Sequence, residues 1–123
     1  MPFAWRAFLD LAEELGARSD EAARQTAIGR AYYAAVGAAF DALLSVERAA
    51  ITPGTYHART WLLYTTSSHR ACRRVGNLGH LLRQMRHACD YRAAATIREQ
   101  DVHQTLLYAR ELLALIDRDG YRP

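Results

Sequence analysis

Between positions 20 and 49, apolar side chains recur at helical spacing on two faces at once. Ile28, Tyr32, Val36, Ala39 and Leu43 line one face, and Tyr33, Gly37, Phe40 and Leu44 line a second. A helix apolar on both sides is stable in water only with neighbours on both sides. This stretch is therefore the expected centre of the molecule, starting near Ser19 or Asp20, with Ser19 as its N-cap and Asp20 and Glu21 favourable at the positive helix end, and running to about Ala49. Gly29 and Gly37 cost helix propensity there, and they are expected where another helix approaches closely.

The rest of the chain supplies the neighbours. Strand signals are nearly absent, and proline occurs only at positions 2, 53 and 123. A first helix is expected from Pro2 to about Leu15, burying Trp5, Phe8, Ala12 and Leu15, with Gly16 just past its end. ITPG at 51–54 breaks the chain before a third helix from Pro53 to Tyr64. TTSS at 65–68 is the next connection, with Ser68 as the cap of a fourth helix reaching about Tyr91. A fifth starts at TIRE, read as a capping box of Thr96 and Glu99, and ends at Asp119-Gly120. Its core stripe is Val102, Leu106, Ala109, Leu112, Leu113 and Ile116. The expected fold is all-α, an up-and-down antiparallel bundle of four to five helices in a single domain spanning residues 1–123.

Composition narrows the setting. Half of the 123 residues are hydrophobic, but no run is long enough to span a bilayer. MPFAWRAF lacks the charged start and cleavage site of a signal peptide. Cys72 and Cys89 are too few for a disulfide framework. The expectation is a cytoplasmic protein with reduced thiols and no membrane partner. The net charge is +3, and all 16 basic residues are arginine, each a planar fork able to grip phosphate in a bidentate manner. The charge is uneven. Residues 1–21 carry −3, while residues 70–92 carry +5, with Arg70, Arg73, Arg74, Arg83, Arg86 and Arg92 set against Asp90 alone. A local basic segment implies an anionic partner, either nucleic acid or an acidic protein.

The fourth helix concentrates the chemistry. Its apolar stripe is Leu78, Leu81, Leu82, Met85, Ala88 and Cys89. Opposite it lie Arg73, His80, Arg83, His87, Asp90 and Tyr91, with Arg86 at the border. A histidine of near-neutral pKa can move the protons of RNA cleavage, and an arginine can stabilise a pentavalent phosphate. The same spacing also fits a solvated face with an Arg86–Asp90 pair four residues apart. The five histidines lack tight ligand spacing with carboxylates, and no Gly-rich phosphate loop or nucleophile elbow is present, so neither a metal site nor a cofactor is expected. On the central helix, one of the Tyr32 and Tyr33 hydroxyls needs a buried partner, for which Arg30 is the nearby candidate.

GRAYYAAVGAAFDALL (29–44), TYHARTWLLY (55–64), LGHLLRQMRHACDYR (78–92) and TIREQDVHQTLLYARELLALI (96–116) occur in this order. Together they resemble the small stand-alone HEPN proteins of bacteria and archaea. The most specific parts are Arg30-x-Tyr32-Tyr33-Ala34-Ala35 and Arg86-x-x-x-Asp90-Tyr91. The resemblance implies a helical bundle that forms a homodimer and pairs with a minimal nucleotidyltransferase antitoxin as a toxin–antitoxin or defence module. Active members are metal-independent endoribonucleases with an arginine, four to six residues and a histidine near the end of the penultimate major helix. Here Tyr91 follows Arg86 at that distance, with Asp90 one residue nearer. Arg83 and His87 have three residues between them. Arg74–His80 comes too early, and Arg98–His103 opens the wrong helix.

Two functions follow as expectations. One is a HEPN-type ribonuclease toxin with Arg86, His87, Asp90 and Tyr91 as catalytic residues and Arg83, Arg73, His80 and Arg30 holding RNA. The other is a non-catalytic HEPN module that binds a nucleotide, RNA or a nucleotidyltransferase through the same face. A dimeric scaffold or antitoxin-like subunit, with Arg86, Asp90 and Tyr91 purely structural, is a third reading of the same residues.

Overall fold

The computed structural model describes residues 4–91 and 97–123, and for Tyr91 the backbone alone. These residues form an all-helical structure without strands: α1 (Trp5–Gly16), α2 (Glu21–Asp41), α3 (Ser45–Ala50), a 3-10 turn (Pro53–Thr55), α4 (Tyr56–Thr65), α5 (Arg70–Tyr91) and α6 (Glu99–Asp119). The central position expected of α2 is observed, since it packs against α1, α4, α5 and α6. Ile28, Tyr32, Val36, Ala39 and Leu43 are all buried.

Cross-contacts give the directions. Trp5 at the start of α1 lies over Gly37 near the end of α2, and its indole N–H donates to Asp41 at 2.6 Å. Arg110 of α6 reaches Glu13 of α1 at 2.6 Å, while Arg6 meets Asp117 at 3.7 Å. The first and last helices are thus antiparallel. So are α5 and α6, joined by a two-pronged Arg74–Glu111 pair at 2.7 and 3.0 Å and by the Thr105 hydroxyl on the Met85 sulfur at 3.4 Å.

Several expectations are corrected. Among the described residues there are six α-helices, not four to five, because α2 stops at Asp41 and α3 is separate. The break is held by Arg48, whose guanidinium donates to the carbonyls of Asp41 at 2.9 Å and Leu43 at 2.6 Å. These are acceptors that the end of a helix leaves unpaired. Past that turn the apolar phase no longer faces the core, and Leu44 and Val46 are exposed. The cap of α2 is Asp20, whose carboxylate accepts from Ala23 N–H at 3.2 Å, and not Ser19. Gly16 is the last residue of α1. Ser68 does not cap α5, because its hydroxyl donates to the Pro123 carbonyl at 2.9 Å. Ser67 instead accepts from His69 N–H at 3.0 Å. The expected cap Thr96 lies outside the described residues, as does Pro2. The reciprocal bond at the start of α6 is made by Arg98, whose N–H donates to Asp101 at 2.9 Å. Leu81, placed on the apolar stripe of α5, is exposed.

Trp61, Tyr32 and Tyr64 are the largest side chains with no exposed surface. The Tyr64 hydroxyl donates to Ala39 O at 2.6 Å, tying α4 to α2. Trp61 lies flat against Gly79 of α5, where even a methyl group would overlap the indole. Gly29 was expected to mark a similar approach, but nothing lies within 4 Å of where its Cβ would be. The two glycines therefore give opposite predictions. Gly79→Ala should destabilise the protein by about 1–3 kcal/mol through overpacking, despite alanine's better helix propensity. Gly29→Ala should stabilise it by about 0.5–1 kcal/mol. Urea denaturation of both variants checks the signs.

Candidate functional site

The last three turns of α5 present two separate surfaces. His80, Arg83, Gln84, His87 and Ala88 border an open depression of about 530 Å³. His80, Arg83 and His87 are exposed, and among the described residues Arg83 makes no hydrogen bond or ion pair. An arginine held this way keeps all five donors for a ligand.

Arg86 points elsewhere. Its guanidinium carbon lies 4.7 Å from the Tyr33 ring centre and 5.5 Å from that of Tyr32, and its Nε is 3.2 Å from Asp90. The side chain is only 29% exposed. One arginine is thus shared between a carboxylate and two ring faces, both favourable to a guanidinium. Asp90, Arg86 and Tyr33 form part of a second groove with Gly29 and Arg30 of α2. The residues expected to be catalytic are therefore not gathered together. His87 lines the first depression, while Arg86 and Asp90 line the second. The side chain of Tyr91 lies outside what is described.

The expected RNA-holding residues divide in the same way. Arg83 and His80 share the first depression. Arg30 borders the second groove, with its guanidinium 5.7 Å from the Phe8 ring centre. Arg73 lies ten residues before Arg83, about 15 Å back along the helix, and donates to the Ser67 carbonyl at 3.0 Å. It belongs to the α4–α5 connection and not to either pocket. The basic excess of the segment is also smaller in three dimensions, because Arg74 is bound by Glu111 from α6.

One group of residues was not anticipated as a site. The Tyr32 hydroxyl lies 2.6 Å from His57 Nδ1 and accepts from the Trp61 indole N–H at 3.1 Å. Arg30 is not its partner. Indole only donates, so the Tyr32 oxygen is an acceptor toward Trp61; its own proton, on a side chain with no exposed surface, has His57 Nδ1 as its acceptor among the described residues. His57 is consequently the neutral imidazole with Nδ1 bare and the proton on Nε2. A second proton on Nδ1 would leave the buried Tyr32 hydroxyl proton without an acceptor. Burial, and then the charges of Arg83 and Arg86, also lower the His57 pKa. Burial raises the Tyr32 pKa, against the pull of the Trp61 hydrogen bond and of Arg83 and Arg86. The only sign in the sequence was the four-residue spacing of His57 and Trp61, which puts both on one face of α4. Their meeting with a tyrosine 25 residues earlier is tertiary.

Among the described residues, no group of three or more His, Cys, Asp or Glu side chains is arranged to hold a metal ion, and no helix is long and apolar enough to cross a membrane. Comparison with known proteins returns no match, whether to family models, to curated proteins or to solved structures.

The locked tautomer has a pH signature. His57 titrates lower in the folded protein than in the unfolded chain, so below about pH 6.5 the unfolded chain binds more protons. Stability should be full above that pH and decline as the pH falls toward the folded-state pKa. His57→Gln keeps an acceptor for Tyr32 but cannot titrate, so thermal melts of this variant between about pH 5 and 7.5 should show a shallower decline than wild type.

Proposed function

We propose that this protein is a HEPN-type endoribonuclease that works without a metal, and that its working set on α5 is His80, Arg83 and His87. The observation that carries the proposal is Arg83, an exposed guanidinium with no protein partner among the described residues, in one depression with two histidines. Cleavage of RNA by internal transfer needs a base, an acid and a cation. The base takes the proton of the 2′-hydroxyl, whose oxygen attacks phosphorus. The bond to the 5′ oxygen breaks, and the acid protonates that oxygen, leaving a 2′,3′-cyclic phosphate and a free 5′-hydroxyl. Arg83 holds the charge that gathers on the phosphoryl oxygens. His80 and His87 are two turns apart, about 10 Å along the axis, and reach one phosphate by leaning toward Arg83 between them. A homodimer, as the HEPN resemblance implies, would add a second set across the two-fold axis.

This assignment moves the chemistry away from Arg86 and Asp90, which are engaged with each other and with the tyrosine rings. That engagement also favours a second reading, a non-catalytic HEPN module that holds RNA or a nucleotide on the same face and pairs with a nucleotidyltransferase.

Incubation with RNA in excess chelator separates the two. Cleavage should leave cyclic phosphate ends, and Arg83→Ala and His87→Ala should each lower the rate by about 100-fold or more. Cleavage at an undiminished rate in both variants would remove the proposed set. RNA retained without cleavage, with an affinity falling steeply as salt rises, supports the binding module.

A further inference from the structure

We infer that His57 is part of the anion site, serving as a neutral hydrogen-bond donor to a phosphoryl oxygen held by Arg83. The inference rests on the phosphate role of Arg83 proposed above. It adds a residue from a different helix, and it does not require that RNA be cleaved.

Three observations lead to it. The first is the fixed tautomer. Tyr32 is itself tied to Trp61 at 3.1 Å and delivers its proton to His57 Nδ1 at 2.6 Å, so the outer nitrogen, Nε2, carries the hydrogen. Tyr32 and Trp61 have no exposed surface, and the His57 and Tyr32 rings lie nearly parallel, 11° apart. The imidazole is thus held by a rigid shell.

The second is where Nε2 leads. It has no hydrogen bond to a described residue. Among the described residues, the buried side-chain nitrogens and oxygens without a partner are Arg24 Nε and Glu47 Oε2. His57 Nε2 is therefore not one of them and reaches solvent. It is a preset donor on a half-buried ring, and its positioning has already been achieved by folding.

The third is the field at that point. The antiparallel packing that sets Thr65 against Gly76 and Trp61 against Gly79 brings His57, at the start of α4, level with Arg83 on α5; the charges of Arg83 and Arg86 both act on His57, and Asp90 is committed to Arg86. His57 is also in the first turn of α4 (Tyr56–Thr65), where unpaired backbone N–H groups and the helix dipole favour an anion. A second positive charge on the imidazole would be costly there. A neutral N–H offers directionality without that repulsion, which suits a phosphoryl oxygen. The ligand class is a phosphate monoester or diester.

The probes are inorganic phosphate and a 2′-deoxyoligonucleotide, which lacks the nucleophile and cannot be cleaved. Nitrogen NMR of the histidine rings should show the Nε2–H tautomer of His57 in the free protein, and both probes should shift its Nε2–H signal together with those of His80 and His87. His57→Gln, which can accept from Tyr32 and donate outward, should bind within about threefold of wild type, whereas Arg83→Gln and His57→Phe should bind about tenfold or more weakly. Probes that shift His80 and His87 but leave His57 unmoved overturn this inference and leave the proposed function standing. Absence of RNA cleavage, with His57 responding to phosphate, does the reverse. An Nδ1–H tautomer, or full binding by a folded His57→Phe, also overturns it. The wild-type spectra decide the matter even if His57→Phe does not fold.

Discussion

The contact between Trp61 and Gly79 is the constraint on which the candidate site depends. Without a side chain at position 79, α5 comes close enough for the indole of α4 to lie against its backbone. At that depth the indole N–H must find a partner, and it finds the Tyr32 hydroxyl of α2. Three helices are thereby brought to one point by a single side chain. Tyr32 then orients His57, and the close passage of α5 places Arg83 and Arg86 beside the pair. Packing and electrostatics are one arrangement here: the fit that excludes water from Tyr32 also decides which nitrogen of His57 carries the proton.

Arg83 and Arg86 are three residues apart on one helix, yet they do different work. Arg86 faces α2, spreads over two tyrosine rings and is neutralised by Asp90. Arg83 faces outward beside His80 and His87. One turn of helix thus separates an arginine that holds the bundle together from one whose charge remains for a ligand. Arg86 is among the residues on which the HEPN resemblance rests, whereas His80, Arg83 and His87, the set proposed for chemistry, are not specified by its two most specific motifs. The resemblance therefore bears more directly on architecture than on catalysis.

Much of the architecture was legible in the amino-acid order. The two-faced pattern of α2, the unbroken phase of α5 through Gly76 and Gly79, and the core stripe of α6 all follow from burial at helical spacing. The errors fall where a local pattern was outweighed by a distant partner. Arg48 ends α2 by reaching back to two carbonyls, so Leu44, just before α3, and Val46, within it, are exposed, which their apolar character does not announce. Leu81 has a core residue's chemistry but faces solvent. Ser68 has a cap's chemistry but is taken by the C-terminal segment. Within the site, His80, Arg83 and His87 could be placed on one face by spacing alone, and they do share a pocket. The separation of Arg86 from His87 turned on Tyr33, which lies on another helix.

What the sequence determined by itself was the identity of the helices, the centrality of α2 and the presence of a polar face on α5. These depend on periodicity and composition, which act within a few residues of one another. Only the tertiary structure decided that Arg83, and not Arg86, is without a partner among the described residues, that Tyr32 is buried where Tyr33 is exposed, and that His57 is locked. Those outcomes depend on a tryptophan meeting a glycine 18 positions away and a tyrosine 29 positions away. No spacing rule within a single helix encodes such a meeting, because it arises from the close packing of three helices around the indole.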